Sequence, residues 1–155
     1  MSRKKAVNEM RLEFLSDSRN ESFARSTVCA FASQLDPTVG ELTEIRTAVS
    51  EAVTNAVIHG YENRNSTADK IYMMCSIRKD VLEVEVEDRG VGIEDVPRAM
   101  EPLFTTKPEM DRSGMGFAFM EAFMDNLEVH SIRDAGTKVR MHKKIGISSW
   151  IDCEE

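Results

Sequence analysis

Three polar side chains follow one another at four-residue intervals in the segment SEAVTNAVIHG: Glu51, Asn55 and His59. In a helix, residues at this spacing lie along one side, one turn apart. A carboxylate such as that of Glu51 can act as a general base, and the amide oxygen of Asn55 is a hard ligand of the kind that Mg2+ accepts. The spacing therefore predicts a polar line where the helix borders either a cleft or open solvent. His59, at the end of this line, is interpreted as a structural residue.

A lone carboxylate, Asp88, ends the alternating segment VLEVEVED. The apolar residues of this segment share one face of a strand, its glutamates share the other, and parity places Asp88 on the apolar face. A buried carboxylate is unfavourable unless other groups donate hydrogen bonds to it, so this position is a candidate for ligand binding. Gly90 and Gly92 follow and permit a close approach of the backbone. The motif could also form a tight turn in which Asp88 bonds its own backbone.

A second pair of glycines, Gly114 and Gly116, stands in the segment RSGMGF, where a helix is predicted to begin. The free N–H groups and the positive dipole end of a helix start are suited to binding phosphate groups. The preceding segment PLFTTKPEMD combines two prolines with polar and basic residues, which predicts an irregular loop of functional length. The side chains that we single out next to this helix start are Lys107, Arg112 and Ser113.

Two capping-box patterns predict where the first two helices begin. Ser18 with Glu21 forms the first pattern, and Thr38 with Glu41 forms the second. The first helix is predicted to place Phe23 on its apolar side. The second carries an apolar stripe that would face a core, with the polar line described above along its flank.

Alternating and helical periods divide the chain into strands and helices. The predicted strands span residues 9–16, 71–77, 81–88, 127–132 and 137–141. The predicted helices span residues 18–35, 38–60, 95–100 and 115–126. The second and third of these strands are predicted to form one hairpin, and the fourth and fifth are predicted to form another.

The composition limits the kinds of protein that this chain can be. Its 155 residues are the length of one domain, and no stretch approaches the roughly 18 to 20 apolar residues of a membrane span. Twenty Lys and Arg against 27 Asp and Glu give a net charge of -7, the wrong sign for binding nucleic acid through its phosphates. The first residues lack the apolar run of a secretory signal. We therefore expect a single domain over residues 1–155 in a cytoplasmic protein, with no membrane contact and no direct nucleic-acid contact.

The order of the three motifs along the chain is typical of a known protein superfamily. SEAVTNAVIHG, VEDRGVGI and RSGMGF resemble the N, G1 and G2 boxes of the GHKL ATPase superfamily, which holds ATP in a Bergerat fold. The flanking segments ESFARSTV, LTEIRTAVSEAVTNAVIHGY and PLFTTKPEMDRSGMGF are similar to those of the anti-sigma F factor family of spore-forming bacteria. The resemblance covers about residues 8–144. The ISSWIDCEE tail departs from the family, and no function is placed on it.

The resemblance implies a fold and a set of site residues. The fold is an α/β, two-layer sandwich with a mixed, mainly antiparallel sheet, helices on one face and a lid over ATP. Glu51 is the catalytic base, Asn55 the ligand of Mg2+, and Asp88 the acceptor for the adenine amino group, with Gly90 and Gly92 at the purine edge. The remaining residues that the resemblance implies for ATP binding are Thr105, Lys107, Arg112, Ser113, Gly114 and Gly116.

The resemblance also implies partners. Members of the family phosphorylate a serine of a small anti-anti-sigma protein and hold sporulation sigma factor F inactive when ATP is bound. Arg25, in the segment ESFAR, resembles the family arginine that contacts both partners. Family members act as homodimers, and we expect the first strand and first helix to form that contact.

Three other interpretations stay open. A histidine-kinase catalytic module would need a helical hairpin with a phosphoacceptor histidine, and none of His59, His130 and His142 is predicted on a spare helix. A binding module that uses ATP only as a conformational ligand would need no general base, so the presence of Glu51 argues against it. A truncated gyrase or chaperone relative is disfavoured because those chains carry far longer transducing domains.

Overall fold

The computed structural model describes residues 8–101 and 116–146. The strands are β1 (Asn8–Leu15), β2 (Lys70–Arg78), β3 (Val81–Asp88), β4 (Asn126–Ile132) and β5 (Gly136–Lys144). The helices are α1 (Asn20–Ala32), α2 (Val39–Asn55), α3 (Val96–Ala99) and α4 (Gly116–Phe123). A 3-10 turn, Ser33–Leu35, follows α1, and a π-helical turn, Ala56–Gly60, extends α2.

The five strands form one sheet in the order β1-β2-β3-β5-β4, and all four neighbouring pairs are antiparallel. The predicted strands and the two predicted hairpins are confirmed. A turn with Lys79 in the left-handed region joins β2 to β3, and a turn with Asp134 and Gly136 at positive φ joins β4 to β5. The expected two-layer α/β fold with a mainly antiparallel sheet is therefore confirmed.

Rows of apolar side chains cross the buried face of the sheet. The antiparallel register aligns Cys75 with Val84 and then Met141, and the neighbouring rows continue this pattern. These side chains form one core with residues of α1, α2 and α4. The opposite face carries charged residues, among which Arg140 pairs with Glu83 and Glu85. The alternation of β3 thus decides which face the helices cover.

The second predicted helix start is confirmed by its hydrogen bonds. The Thr38 hydroxyl accepts from the Glu41 backbone N–H at 3.0 Å, and the Glu41 carboxylate accepts from the Thr38 N–H at 2.9 Å. The predicted apolar stripe is buried at Ile45, Val49 and Val53. This helix therefore presents its polar flank in a defined direction.

The first predicted helix start is wrong. Helix α1 begins at Asn20 with Arg19 as its N-cap and no side-chain cap. The Asp17 carboxylate accepts hydrogen bonds from Arg19, and Glu21 pairs with Arg25 one turn later instead of reaching back to Ser18. Local charged partners thus replace the predicted capping box.

The predicted burial of Phe23 is also wrong, since its side chain is 55% exposed. Small residues, Ala24, Val28 and Ala32, form the fully buried line of α1. They repeat at four-residue spacing, and small side chains let α1 pack closely on α2. Phe23 precedes this line by one residue, a rotation of about 100° around the helix.

A buried lysine fixes the position of α4. The Lys143 Nζ lies 2.7 Å from the Glu44 carboxylate on α2 and donates to the Phe123 carbonyl at 2.7 Å. This carbonyl belongs to the C-terminal end of α4, where a positive charge is favourable. Helix α4 ends at Phe123, three residues before the predicted end, because β4 already begins at Asn126.

Among residues 8–101 and 116–146, no helix combines the length and the apolar character that crossing a membrane requires.

Candidate active site

A cleft of about 950 Å3 lies beside α2. Its walls come from the last turns of α2, the ends of β3 and β5, the loop after Asp88, α3 and the start of α4. This volume is in the range of pockets that hold small-molecule ligands. The candidate site residues that line it are Asn55, Asp88, Gly92 and Gly116.

The polar line of α2 borders this cleft. The sequence allowed either a cleft or open solvent at this position. Asn55 and His59 line the cleft. Glu51 is half-buried one turn earlier and is not among the lining residues. A methyl group placed on Gly116 would lie 3.0 Å from Asn55 Nδ2 and 3.2 Å from Glu51 Oε2. The structure thus brings the start of α4 against both side chains.

Asp88 is 6% exposed and stands at the end of β3. Its Oδ1 accepts a hydrogen bond from the Gly90 backbone N–H at 3.0 Å, so the tight turn that the sequence allowed is present. Burial raises the pKa of Asp88 to about 6. Hydrogen bonds from the backbone N–H groups of Gly90 and Thr137 have the opposite, smaller effect on this pKa. The carboxylate also lines the cleft. The Asp88 carboxylate is therefore available to a ligand, although it also accepts a hydrogen bond from the nearby backbone.

Gly90 has a different position from the expected one. It is buried and is not among the residues that line the cleft. A methyl group there would lie 1.9 Å from the carbonyl oxygen of Gly60, and this same oxygen accepts a hydrogen bond from the Val91 N–H. Gly90 therefore allows the loop to pack against the end of the π-helical turn.

Gly92 lies on the cleft wall and adopts a φ of 75°. A side chain there would be strained in this backbone conformation, and a methyl group would lie 2.3 Å from the carbonyl oxygen of Ile132. The β4–β5 turn thus packs directly on the glycine loop. The Asp134 N–H donates to the Val91 carbonyl at 2.7 Å and holds the two segments together.

Two residues near Asp88 were missed by the sequence reasoning. Thr137 stands opposite Asp88 in the β3–β5 ladder and lines the cleft; the period of β5, which buries Val139 on the same face, could have revealed it. The buried Tyr61 donates from its hydroxyl to the Lys70 carbonyl at 2.5 Å and accepts from the Arg89 N–H at 2.7 Å. No pattern in the sequence indicates these bonds of Tyr61.

Of the other predicted site residues, only Arg25 belongs to the described part of the chain. Arg25 is part-buried on α1, forms an ion pair with Glu21 at 3.3 Å and does not line the cleft. The remaining candidates fall outside the described residues: Thr105, Lys107, Arg112, Ser113 and Gly114.

A sheet covered by helices on one face, with a cleft beside α2, is the arrangement of a known class of domain. Residues 14–143 match the model of the histidine kinase-like ATPase domain family. The crystal structure of the RsbU and RsbW domains of a Mycobacterium tuberculosis protein has a similar fold, with a TM-score of 0.60 and 15% identity. That match covers 90% of this chain and 32% of the longer chain.

Relatives with much higher sequence identity show which family within this class the chain belongs to. An anti-sigma F factor of Clostridium perfringens strain 13 is 59% identical over 138 residues, which cover 89% of this chain and 97% of the relative. An anti-sigma F factor of Clostridium botulinum strain Eklund 17B is 54% identical over 142 residues, which cover 92% and 98%. The chain belongs to the anti-sigma F factor family.

Proposed function

We propose that this chain is an ATP-dependent protein serine kinase that also acts as an anti-sigma factor. The observation that carries the proposal is that two different polar groups line one cleft. They are a buried carboxylate, Asp88, and a helix start, Gly116, which packs against Asn55 and Glu51. The first suits a purine base, and the second suits phosphate groups.

The base end of the cleft favours adenine. An ionised carboxylate only accepts hydrogen bonds, and adenine presents an exocyclic amino group as a donor. Guanine presents a carbonyl at the same ring position, which would face the carboxylate with a second acceptor. Asp88 therefore selects ATP over GTP when it is ionised.

The phosphate end combines an amide oxygen with the start of a helix. Asn55 is the proposed Mg2+ ligand among the described residues, since a hard amide oxygen fits a metal that keeps water and phosphate oxygens as its other ligands. When bound, Mg2+ would neutralise phosphate charge. Gly116 brings the start of α4 against Asn55, where backbone N–H groups favour anions. The loop residues Thr105, Lys107, Arg112, Ser113 and Gly114 are proposed to complete this end.

Glu51 is the proposed general base. Its carboxylate lies one helical turn before Asn55 and close to Gly116. In the transfer, the serine hydroxyl oxygen bonds to the γ-phosphorus, the bond between that phosphorus and the bridging oxygen breaks, and ADP leaves. Glu51 accepts the hydroxyl proton.

The family supports the choice of partners. Its members are named for a sigma factor, and we propose that this chain binds sporulation sigma factor F and keeps it inactive when ATP is bound. The proposed substrate is a serine of an anti-anti-sigma protein. Arg25 is the proposed partner contact, and its ion pair with Glu21 would have to rearrange when a partner binds. We further propose a cytoplasmic homodimer.

A second candidate is an ATP-gated binding protein without transfer activity. The observation in its favour is that Glu51 is not among the residues that line the cleft. The two candidates differ in what happens to the γ-phosphate.

The test is incubation of the protein with γ-labelled ATP, Mg2+ and the candidate anti-anti-sigma protein. The proposal predicts label on a serine of that protein, and loss of label with Glu51→Gln. Label on a histidine would instead support the histidine-kinase alternative. Tight ATP binding without any label would support the second candidate.

A further inference from the structure

A lysine interrupts the apolar face of β5. Every second residue of this strand faces the core, and the buried residues at these positions are Thr137, Val139, Met141 and Lys143. Lys143 is only 7% exposed. Removing an ammonium group from water is unfavourable unless its charge is paired and its hydrogens are bonded. An apolar side chain would serve the core at this position, so the lysine is a candidate for a role beyond folding.

The Lys143 ammonium group joins two helices to the sheet. Its Nζ lies 2.7 Å from Glu44 Oε2 on α2 and donates to the carbonyl of Phe123, the last residue of α4, at 2.7 Å. The backbone of Lys143 stands opposite Leu82 in the β3–β5 ladder. Lys143 does not line the cleft, whereas α2, α4 and β5 each contribute to its walls. The lysine therefore connects, from outside the cleft, three elements whose relative positions define it.

Helix α4 contacts α2 at both of its ends. Its start, Gly116, lies against the side chain of Asn55, and its last residue, Phe123, is joined through Lys143 to Glu44. Glu44 lies about three helical turns before Asn55 on α2, so the two helices run in opposite directions. The eight residues of α4 span about 12 Å. In a helix this short, a displacement of the last residue also displaces the first.

The contacts of α4 differ in what they can fix. Met120 packs in the core, but apolar contacts have no preferred direction. Gly116 has no side chain that could hold the helix start in place. The hydrogen bond from Lys143 to the Phe123 carbonyl has a defined length and direction, and a positive charge is favourable at this end of a helix. This bond therefore determines how far α4 reaches along α2 toward Asn55.

We propose that Lys143 is a positioning residue that holds the start of α4 against Asn55, where the nucleotide phosphates bind. Glu44 is its partner in this role, because its carboxylate fixes the Lys143 ammonium group relative to α2. The inference rests on the proposed phosphate site and adds a residue that acts on this site without touching the nucleotide. Asp88 lies on β3 and is not part of the contacts of Lys143, so the binding of the base does not depend on them.

The test compares Mg-ATP with adenosine, which has the base but no phosphate, by titration calorimetry. Lys143→Met keeps the apolar length of the side chain and removes its charge and its donors. The variant should bind Mg-ATP about three- to tenfold more weakly, since the backbone N–H groups of the helix start lose their position. Its affinity for adenosine should change less than twofold. Lys144→Met is the matched control, because Lys144 is 39% exposed and pairs with Asp80 at 3.8 Å; both affinities should stay unchanged.

Glu44→Ala tests the other half of the contact. The Glu44 side chain is 42% exposed, so its loss leaves no cavity in the core. This variant should bind Mg-ATP about twofold or more weakly and adenosine as the wild type does. The combined variant should bind Mg-ATP as weakly as Lys143→Met alone, because both changes act through one nitrogen atom; additive losses would overturn the inference. If Lys143→Met does not fold, Glu44→Ala decides: an unchanged ratio of Mg-ATP to adenosine affinity would overturn the inference.

A role in folding alone gives a different result. Lys143→Met would then unfold at a lower urea concentration, while its ratio of Mg-ATP to adenosine affinity would equal that of the wild type, which would overturn the inference. The proposed function fails separately. A wild-type protein that binds no ATP, or that binds Mg-ATP no more tightly than adenosine, contradicts the proposed phosphate site, and with it the role of Lys143.

Discussion

The backbone of Gly116, at the start of α4, lies directly against the side chain of Asn55 on α2. A methyl group at this position would be 3.0 Å from Asn55 Nδ2 and 3.2 Å from its Oδ1. These distances are shorter than ordinary van der Waals contacts, so a side chain at this position would require the Asn55 amide or the helix start to shift by a few tenths of an ångström. The proposed Mg2+ ligand and the proposed phosphate site therefore depend on one contact.

Gly116→Ala should weaken the binding of Mg-ATP by about tenfold, since the new methyl group must displace the Asn55 amide or the helix start. Titration calorimetry with Mg-ATP measures the loss. Gly40→Ala is the matched control, because Gly40 is exposed in the first turn of α2 and a methyl group there meets its nearest atom, the Thr38 hydroxyl, at 3.8 Å. The control should bind ATP normally and gain up to about 1 kcal/mol of stability from the better helix propensity of alanine. Equal ATP affinity in both variants would contradict the proposed phosphate site.

Nucleotide binding should depend on pH through Asp88. Burial raises its pKa to about 6, and the ionised form is the stronger acceptor for the adenine amino group, because protonation turns one carboxyl oxygen into a donor. Affinity should therefore fall as the pH falls through 6, by up to tenfold per pH unit below it. Adenosine is the ligand to use, because it has no phosphate that titrates in this range. A flat affinity profile between pH 5 and pH 7.5 would exclude an ionised Asp88 from base recognition.

The same burial should make Asp88 unfavourable for folding at neutral pH. Its native pKa of about 6 lies above the ordinary value of 3.8, so the native state favours the protonated form. The unfavourable contribution is small at pH 4, grows as the pH rises to 6 and then stays constant at about 3 kcal/mol at most. Asp88→Asn should therefore raise the free energy of unfolding at pH 7, although it weakens ATP binding.

Urea unfolding of the ligand-free protein at pH 4 and pH 7 measures this effect. Asp36→Asn is the matched control, since Asp36 is exposed and holds a left-handed conformation that asparagine also tolerates. A stability gain for Asp88→Asn that is as large at pH 4 as at pH 7 would mean that charge burial is not its cause.

Glu51→Gln should abolish phosphoryl transfer and leave the affinity for Mg-ATP and for the sigma factor within about twofold. The amide keeps the shape of the side chain but cannot accept the serine proton. Glu121→Gln on the exposed part of α4 is the control and should transfer phosphate normally. Transfer at the wild-type rate by Glu51→Gln would remove this residue from the mechanism.

The fold could be predicted where local patterns coincide with tertiary packing. The alternation of β3 predicts the burial of Asp88 correctly, because a strand must place every second residue on one face. Thr38 and Glu41 form a capping box as predicted, whereas Ser18 and Glu21 do not: Glu21 pairs with Arg25, and Arg19 at the helix start pairs with Asp17. Similar sequence patterns thus differ in outcome when charged neighbours compete.

The site could be predicted in part. The spacing of Glu51 and Asn55 on one helix flank predicts that both reach the same region, and the start of α4 does lie against them. The bonds of Tyr61 to Arg89 and of Ser131 to Ile93 join residues 28 and 38 positions apart. Such contacts depend on how loops pack after the sheet has formed, so no local sequence pattern predicts them.

The proposed recognition of ATP depends on a hydrogen bond from the amino group of adenine to the Asp88 carboxylate. The most direct measurement is the affinity of wild-type protein and Asp88→Asn for ATP and for purine riboside triphosphate, which lacks that amino group. Removal of the amino group should weaken binding to the wild-type protein about tenfold or more and should change binding to Asp88→Asn less than twofold. Equal affinity of the wild-type protein for both nucleotides would contradict the claim.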